Sequence, residues 1–232
     1  MSVRPVANAS EDAQIQVILP YEVTKEYTVE SITDIPVKPV YSVIKRLTDI
    51  LVSLIALTIG AIPMLMIAMT VKCTSPGPAL YIQERLGKNG KKFNIVKFRT
   101  MFINAEENGA QWSVGDADSR ATRFGRFLRH SRLDELPQFW NILIGNMSLV
   151  GPRPEREVFY NAFEEYIHGY RERMKIVPGL SGYAQVYGGL DLKPEEKICY
   201  DIEYIKRRSL WLDFKIIVKT ALIVFHLNFQ RN

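Results

Sequence analysis

Residues 47–71 read LTDILVSLIALTIGAIPMLMIAMTV, a run from Leu47 to Val71 that is apolar apart from Asp49 and scattered Thr and Ser. At about 1.5 Å per residue it reaches about 37 Å as a helix, long enough to cross a bilayer. Pro63 interrupts its second half, and basic residues flank both ends, Lys45 and Arg46 before it and Lys72 after it. Positive charge prefers the cytoplasmic side, so a helix that enters, breaks at Pro63 and returns keeps both flanks on one face. The backbone groups freed at the break then need protein partners, because lipid offers none. A straight span, a re-entrant hairpin and a buried core helix are the three readings of this stretch taken alone.

Outward from it, composition narrows the setting. The 232 residues fit one domain with extra segments. The net charge of +5 is uneven: residues 1–40 carry three Lys/Arg against six Asp/Glu, leaving 27 against 19, or +8, for residues 41–232. A basic body suits an anionic partner: nucleic acid, a phosphorylated substrate or a membrane surface. Cys73 and Cys199 are too few and too far apart for a zinc site or a disulfide framework, which favours a reducing compartment. The apolar run begins near residue 47, unlike a signal peptide.

Three segments follow: an irregular head over residues 1–38, a membrane-inserted helix over 39–72, and a catalytic domain over 73–232. In the last, residues 80–83 and 93–98 around Gly87-Lys88-Asn89-Gly90 read as a β-hairpin. Helices are expected over 101–109, 120–130, 135–144, 155–175, 195–208 and 210–227, with loops at 113–119 and 148–154 and an extended segment at 182–187. The fold class is α+β, mostly helical. The last helix has an apolar face, with Trp211, Phe214, Ile217 and Leu222 among its residues. That face fits either a membrane interface or a core.

Chemistry concentrates in Arg132-Leu133-Asp134-Glu135-Leu136-Pro137-Gln138 and in Gly151-Pro152-Arg153-Pro154. Adjacent carboxylates suit a hard cation such as Mg²⁺, which takes one or two carboxylates plus substrate phosphates, and a carboxylate can also attack phosphorus. They also complement a helix N-terminus. Two prolines fix the backbone around Arg153, whose fork suits a phosphate. Strand alternation sends Lys97 and Arg99 to one face, as a diphosphate clamp or a solvated edge. Arg120, Arg123, Arg126, Arg129 and Arg132 recur every three residues, but that period drifts about 60° per step and makes no nucleic-acid stripe. No zinc finger, basic zipper or aromatic RNA motif accompanies it. His130, His168 and His226 have no metal spacing.

The ordered motifs Lys97-Phe98-Arg99-Thr100-Met101, Leu133 to Gln138, Asn146 to Pro154, Pro178-Gly179-Leu180-Ser181-Gly182, and Tyr200-Asp201 before Tyr204 resemble the bacterial sugar transferases, the monotopic polyprenyl-phosphate phosphoglycosyl transferases. The resemblance runs from about Lys45 to Phe225. It implies a re-entrant membrane helix bent at Pro63, interfacial amphipathic helices, and a location on the cytoplasmic face of the bacterial inner membrane. It implies Asp134 as nucleophile and Glu135 as a holder of Mg²⁺, beside Asp134. Lys97, Arg99, Arg153, Arg173, Gln138 and Asp201 fall around the nucleotide and phosphates. The implied reaction passes a sugar-1-phosphate from a UDP-sugar, UDP-glucose or UDP-galactose with N-acetylhexosamines also open, to polyprenyl (undecaprenyl) phosphate through an aspartyl-phosphosugar, releasing UMP. That step would initiate exopolysaccharide or capsule synthesis. The implied partners are these substrates and membrane lipid, with a homo-oligomer or downstream glycosyltransferases besides, and no nucleic acid. An inactive, membrane-anchored binding protein of the same fold is the alternative, and the intact Asp134-Glu135 pair argues against it. The chain departs from the family pattern at Ile62, where Ser often precedes the proline, and at Val177, where Lys is common before Pro-Gly.

Overall fold

The computed structural model describes residues 23, 25–33, 35, 38–107, 118–189 and 192–229. Among them, β1 (Tyr27–Thr28) precedes α1 (Pro39–Thr74), and β2 (Leu80–Leu86) and β3 (Lys92–Phe98) form the expected hairpin. Then come α2 (Arg123–Ser131), α3 (Gln138–Leu143), β4 (Ser148–Val150), α4 (Glu157–Glu164), β5 (Ile167–His168), β6 (Gly179–Ser181), α5 (Pro194–Arg207) and α6 (Leu210–Phe229). The hairpin is antiparallel from Leu80 opposite Phe98 to Leu86 opposite Lys92. Its turn places Asn89 and Gly90 at positive φ, the conformation that Asn and Gly tolerate best. β1 pairs with β5 and β4 with β6, both parallel. The fold is α+β and mostly helical.

The long apolar stretch lies inside α1, whose 36 residues run unbroken through Pro63. Helical turns continue on both sides of Pro63, the position at which a missing backbone donor and a ring clash kink a helix without ending it. Only 11% of the most apolar part of α1 is buried, which removes the core-helix reading. Both ends of α1 stand on the same body. At the first foot, Arg46 donates to the Ile142 and Leu143 carbonyls at the end of α3, at 2.6 and 2.7 Å. Asp49 accepts from the Ser148 hydroxyl and the Leu149 amide, at 3.1 and 2.9 Å. At the second foot, Met64, Ile67, Ala68 and Val71 pack with Phe98, Leu128, Leu133 and Leu136. Between the feet, a Cβ on Gly60 would meet only Met64 of the same helix. A straight span puts its ends on opposite sides of a bilayer, and this geometry does not; α1 is long enough to cross a membrane but is held as a re-entrant element is.

The main core joins Leu86 and Ile95 of the hairpin to Ile142, Phe163, Tyr170, Ile198, Ile205 and Ile216. Asn141 staples α3 to β3, accepting from the Val96 amide at 3.0 Å and donating to the Asn94 carbonyl at 2.7 Å. In α6, Asp213 and Ile216 face inward while Trp211, Phe214, Ile217, Val218 and Leu222 are exposed.

Several expected elements differ, each for a local reason. The helix expected over 101–109 is a turn at 103–107, since Met101 bridges Ala121 and the Phe102 amide donates to the Arg120 carbonyl. Residues 108–109 and most of the 113–119 loop lie outside the described residues. The helix expected over 155–175 divides into α4, β5 and a 3-10 turn at Tyr170–Lys175. Gly169 there takes φ 91°, and the Glu164 carboxylate accepts the amides of Gly169 and Arg171. The segment expected to be extended at 182–187 is instead a π-helical turn, Ala184–Gly188, with Tyr183 stacked on Tyr187 at 4.4 Å. Part of the expected irregular head is docked: Ile32 is buried, its amide donates to Glu172 at 2.7 Å, and Lys175 reaches its carbonyl at 2.8 Å. Residues 1–22 lie outside the described residues.

Candidate active site

Three chain segments converge on Glu135. Arg132, at φ 59°, ends α2 and starts the 3-10 turn Leu133–Glu135, which buries both carboxylates at 7% and 8% exposure. α2 itself is seated by Gly125, where a Cβ would lie 1.9 Å from the Thr100 carbonyl oxygen. Its cap is Thr122, whose hydroxyl accepts the Gly125 amide at 2.9 Å. β3 supplies Lys97, with Nζ 3.7 Å from Glu135 Oε1. The third segment is the Pro152-Arg153-Pro154 loop. The Gly151 amide donates to the Ser181 carbonyl and the Gly179 amide to the Pro152 carbonyl, both at 2.9 Å. Gly151 and Gly179 touch backbone to backbone, a closeness any Cβ would prevent. Thus β6 holds the loop that aims Arg153, whose two terminal nitrogens both donate to Glu135, forming a fork.

The electrostatics separate the two carboxylates. Burial would raise Glu135, but Arg153 and Lys97 outweigh it and hold the carboxyl well below its ordinary range. Burial, then the neighbouring Glu135 charge, pushes Asp134 up to about 6. Burial, then Arg153, pushes Lys97 down to about 8. Among the described residues Asp134 is therefore the carboxylate without an ion-pair partner, next to one that has two.

These groups line a cavity of about 900 Å³ with ten Lys/Arg and five Asp/Glu in its walls. An excess of five positive charges around an open cleft suits a diphosphate. Arg120 and Arg129 both reach Asp118, at 2.6 and 3.6 Å, and with Arg132 three members of the arginine series line this cavity instead of forming a stripe.

The other expected site residues are placed as follows. Arg99 lines the cavity, but its terminal nitrogens donate to the Ser75 and Pro76 carbonyls and the Ser75 hydroxyl at 2.6–2.8 Å, clamping the end of α1. Arg173 and Asp201 also line it and hold each other, with Nη2 2.6 Å and Nε 2.8 Å from Asp201 Oδ2. Gln138 is fully buried outside the cavity lining, and both its amide atoms lack partners among the described residues. Pro63 lies in α1, between the feet and away from the carboxylates in sequence. Sequence reasoning missed Arg85, Glu155, Lys197 and Gln185. Glu155 accepts from Arg85 and Lys197, each at 3.3 Å. Lys197 and Asp201 stand one helical turn apart on α5, a legible i, i+4 signal. Gln185, on the π-helical turn in the cavity wall, carries a buried oxygen without a partner among the described residues; nothing in its sequence neighbourhood marks it.

Among the described residues no cluster of three or more His, Cys, Asp or Glu could hold a metal by itself. Two adjacent buried carboxylates fit the one or two that a Mg²⁺ ion takes beside phosphates and water.

The family model described as bacterial sugar transferase matches residues 40–227. The UDP-N-acetylgalactosamine-undecaprenyl-phosphate N-acetylgalactosaminephosphotransferase of Aeromonas hydrophila is 46% identical over 185 residues, covering 78% of this chain and 44% of that protein. The UDP-glucose:undecaprenyl-phosphate glucose-1-phosphate transferase of Xanthomonas campestris pv. campestris is 44% identical over 190 residues, covering 79% and 39%. A putative undecaprenyl-phosphate N-acetylgalactosaminyl 1-phosphate transferase of Bacillus subtilis (strain 168) is 45% identical over 156 residues, covering 66% and 86%. The chain spans less than half the length of the first two relatives. With its motifs, its family match and these identities, the chain belongs to the bacterial sugar transferase family.

Proposed function

We propose that this chain transfers a sugar-1-phosphate from a UDP-sugar to undecaprenyl phosphate, with Asp134 as the covalent carrier. The observation that carries the reading is the asymmetry of the carboxylate pair. Glu135 is held by Arg153 and Lys97, while Asp134 sits beside it with no ion-pair partner among the described residues, in a cavity rich in positive charge.

The Asp134 carboxylate attacks the sugar-linked phosphorus, forming an O–P bond as the bond to the UMP oxygen breaks. An oxygen of undecaprenyl phosphate then attacks the same phosphorus, and the Asp134 carboxylate leaves, giving the diphosphate-linked sugar and a free enzyme. Arg153 and Lys97 face the phosphates and offset their charge, the main catalytic requirement in phosphoryl transfer. Asp134 and Glu135 would hold Mg²⁺, which when bound supplies further charge compensation for the departing UMP. α1 dips into the cytoplasmic leaflet of the bacterial inner membrane and returns, bringing the site to the surface where a lipid phosphate lies. The products would enter exopolysaccharide or capsule assembly, and the sugar is a hexose such as glucose, galactose or N-acetylgalactosamine.

Purified protein in detergent, given Mg²⁺, undecaprenyl phosphate and a panel of UDP-sugars, should release UMP with one of them. Asp134→Asn should release none and should form no sugar-phosphate adduct detectable by mass spectrometry of the intact chain. Continued UMP release by Asp134→Asn would overturn the carrier assignment. Failure of the unaltered protein with every donor would favour the inactive alternative.

A further inference from the structure

The wall of the active-site cavity is divided. Its exposed large apolar side chains, Leu80, Tyr81, Phe102 and Ile103, all come from the start of β2 and the segment after β3. Elsewhere the wall holds Glu155, Arg173 and Asp201, which are buried and charged. The apolar part adjoins the second foot of α1 at three points. Phe98 lines the cavity and also packs with Val71 of α1. Arg99 holds the Ser75 and Pro76 carbonyls. Ile103 reaches over Gly77, where a Cβ would lie 2.7 Å from its Cδ1. Pro78, next in sequence, lines the cavity as well. Leu80, Phe102 and Ile103, exposed at 42%, 51% and 68%, therefore rim the cavity where the chain leaves α1. Lys97, the residue before Phe98, stands just inside.

This division selects between the two substrates. A UDP-sugar carries charge and hydroxyls along its length and gains little from an apolar rim. A lipid phosphate needs a cation for its head and an apolar path from its chain to the bilayer, and covering exposed apolar surface is favourable. The rim supplies that path beside α1, the one helix among the described residues long and apolar enough to enter a membrane. We propose that the prenyl chain of undecaprenyl phosphate enters the cavity over Pro78, Leu80, Phe102 and Ile103, with its phosphate at Lys97. The entry path rests on the transfer reaction proposed above and gives the acceptor a place in it.

The test separates the two half-reactions. The full chain in detergent, given Mg²⁺ and donor alone, forms the Asp134 adduct, read by mass spectrometry of the intact chain. Loss of the adduct is then followed against undecaprenyl phosphate concentration at a fixed detergent level. Phe102→Ser and Ile103→Ser should form the adduct at the rate of the unaltered protein but need about tenfold more acceptor for half-maximal loss, with the limiting rate unchanged. Ile82→Ser removes a similarly exposed apolar side chain, at 60%, from β2 outside the cavity lining and should match the unaltered protein. An equal shift in Ile82→Ser would mean general attraction to the lipid and detergent surface and overturn the entry path. An unshifted acceptor dependence in both rim variants would overturn it, and so would slower adduct formation, which would set the rim against the donor. If the unaltered protein forms no adduct, the carrier reading fails and the entry path falls with it.

Discussion

The Arg173–Asp201 pair gives the sharpest test of the site's construction. Their side chains are 0% and 2% exposed, with a closest contact of 2.6 Å. Burial pushes the Asp201 carboxyl above its ordinary range against the pull of Arg173. Burial also works against the Arg173 charge, but Asp201 and the neighbouring tyrosines outweigh it and hold the guanidinium charged. The contact geometry makes the pair ionic. Asp201→Asn leaves that guanidinium with the Tyr170 hydroxyl at 3.0 Å, the rings of Tyr160 and Tyr170, and a Glu155 carboxylate that Arg85 and Lys197 already hold. Breaking a buried pair from one side costs about 3–5 kcal/mol, a large part of the roughly 5–15 kcal/mol that holds most domains folded. At about 2–4 °C per kcal/mol for a chain of this size, the melting temperature should fall by about 6–20 °C in detergent. Replacing both partners, Arg173→Met with Asp201→Leu, removes the stranded charge and should recover most of that loss. If Asp201→Asn instead melts within about 2 °C of the unaltered protein while the KM for the UDP-sugar rises, the two residues are independent substrate contacts and the reasoning fails.

Three further outcomes are expected. Gln185→Leu removes the amide whose buried oxygen lacks a partner among the described residues of the cavity wall and should raise KM for the UDP-sugar about tenfold, with kcat within a factor of two; unchanged steady-state parameters would leave Gln185 outside substrate recognition. Burial raises Glu155, but Lys197 and Arg85 outweigh it, so its folded pKa is depressed and its stabilisation holds above the unfolded value of about 4.3 and is lost as pH falls below it. Urea unfolding at pH 5 and pH 3 should therefore show a smaller acid loss for Glu155→Gln than for the unaltered chain, and parallel losses would contradict the pairing. Asp49→Leu strands the Leu149 amide and should cost about 1–3 kcal/mol in the same assay, whereas a neutral result would mean that this foot of α1 does not depend on that bond.

What was legible in the sequence was local or strongly periodic. The hairpin followed from its turn residues and alternation, α5 from a clean helical pattern, and the approach of Arg153 to the carboxylates from two prolines and a family order of motifs. What escaped was decided over distance. Residues 101–109 carry helical composition, but Met101 pairs with Ala121, and that pairing outweighs a weak local preference. The head looked irregular because Ile32 has no periodic neighbours, yet Glu172 and Lys175 hold it from 140 and 143 positions away. Lys97 and Arg99 share a strand face by alternation, but Arg99 falls one residue beyond β3, and Ser75 and Pro76 claim its guanidinium. Gln185 and Glu155 carry no signature at all, because their roles come from what a folded wall leaves beside them.

The two feet of α1 set a working height. A domain hung from one end of a helix can swing, and its distance from the surface varies with the linker. Here the body is pinned at Arg46 and Asp49 on one side and at Val71 and Ser75 on the other, so tilting it means bending the helix. The gap between the carboxylates and whatever surface receives α1 is therefore a fixed dimension of the fold. Residues inserted before Pro39 leave that dimension unchanged, while a residue inserted between Thr74 and Leu80 alters it directly.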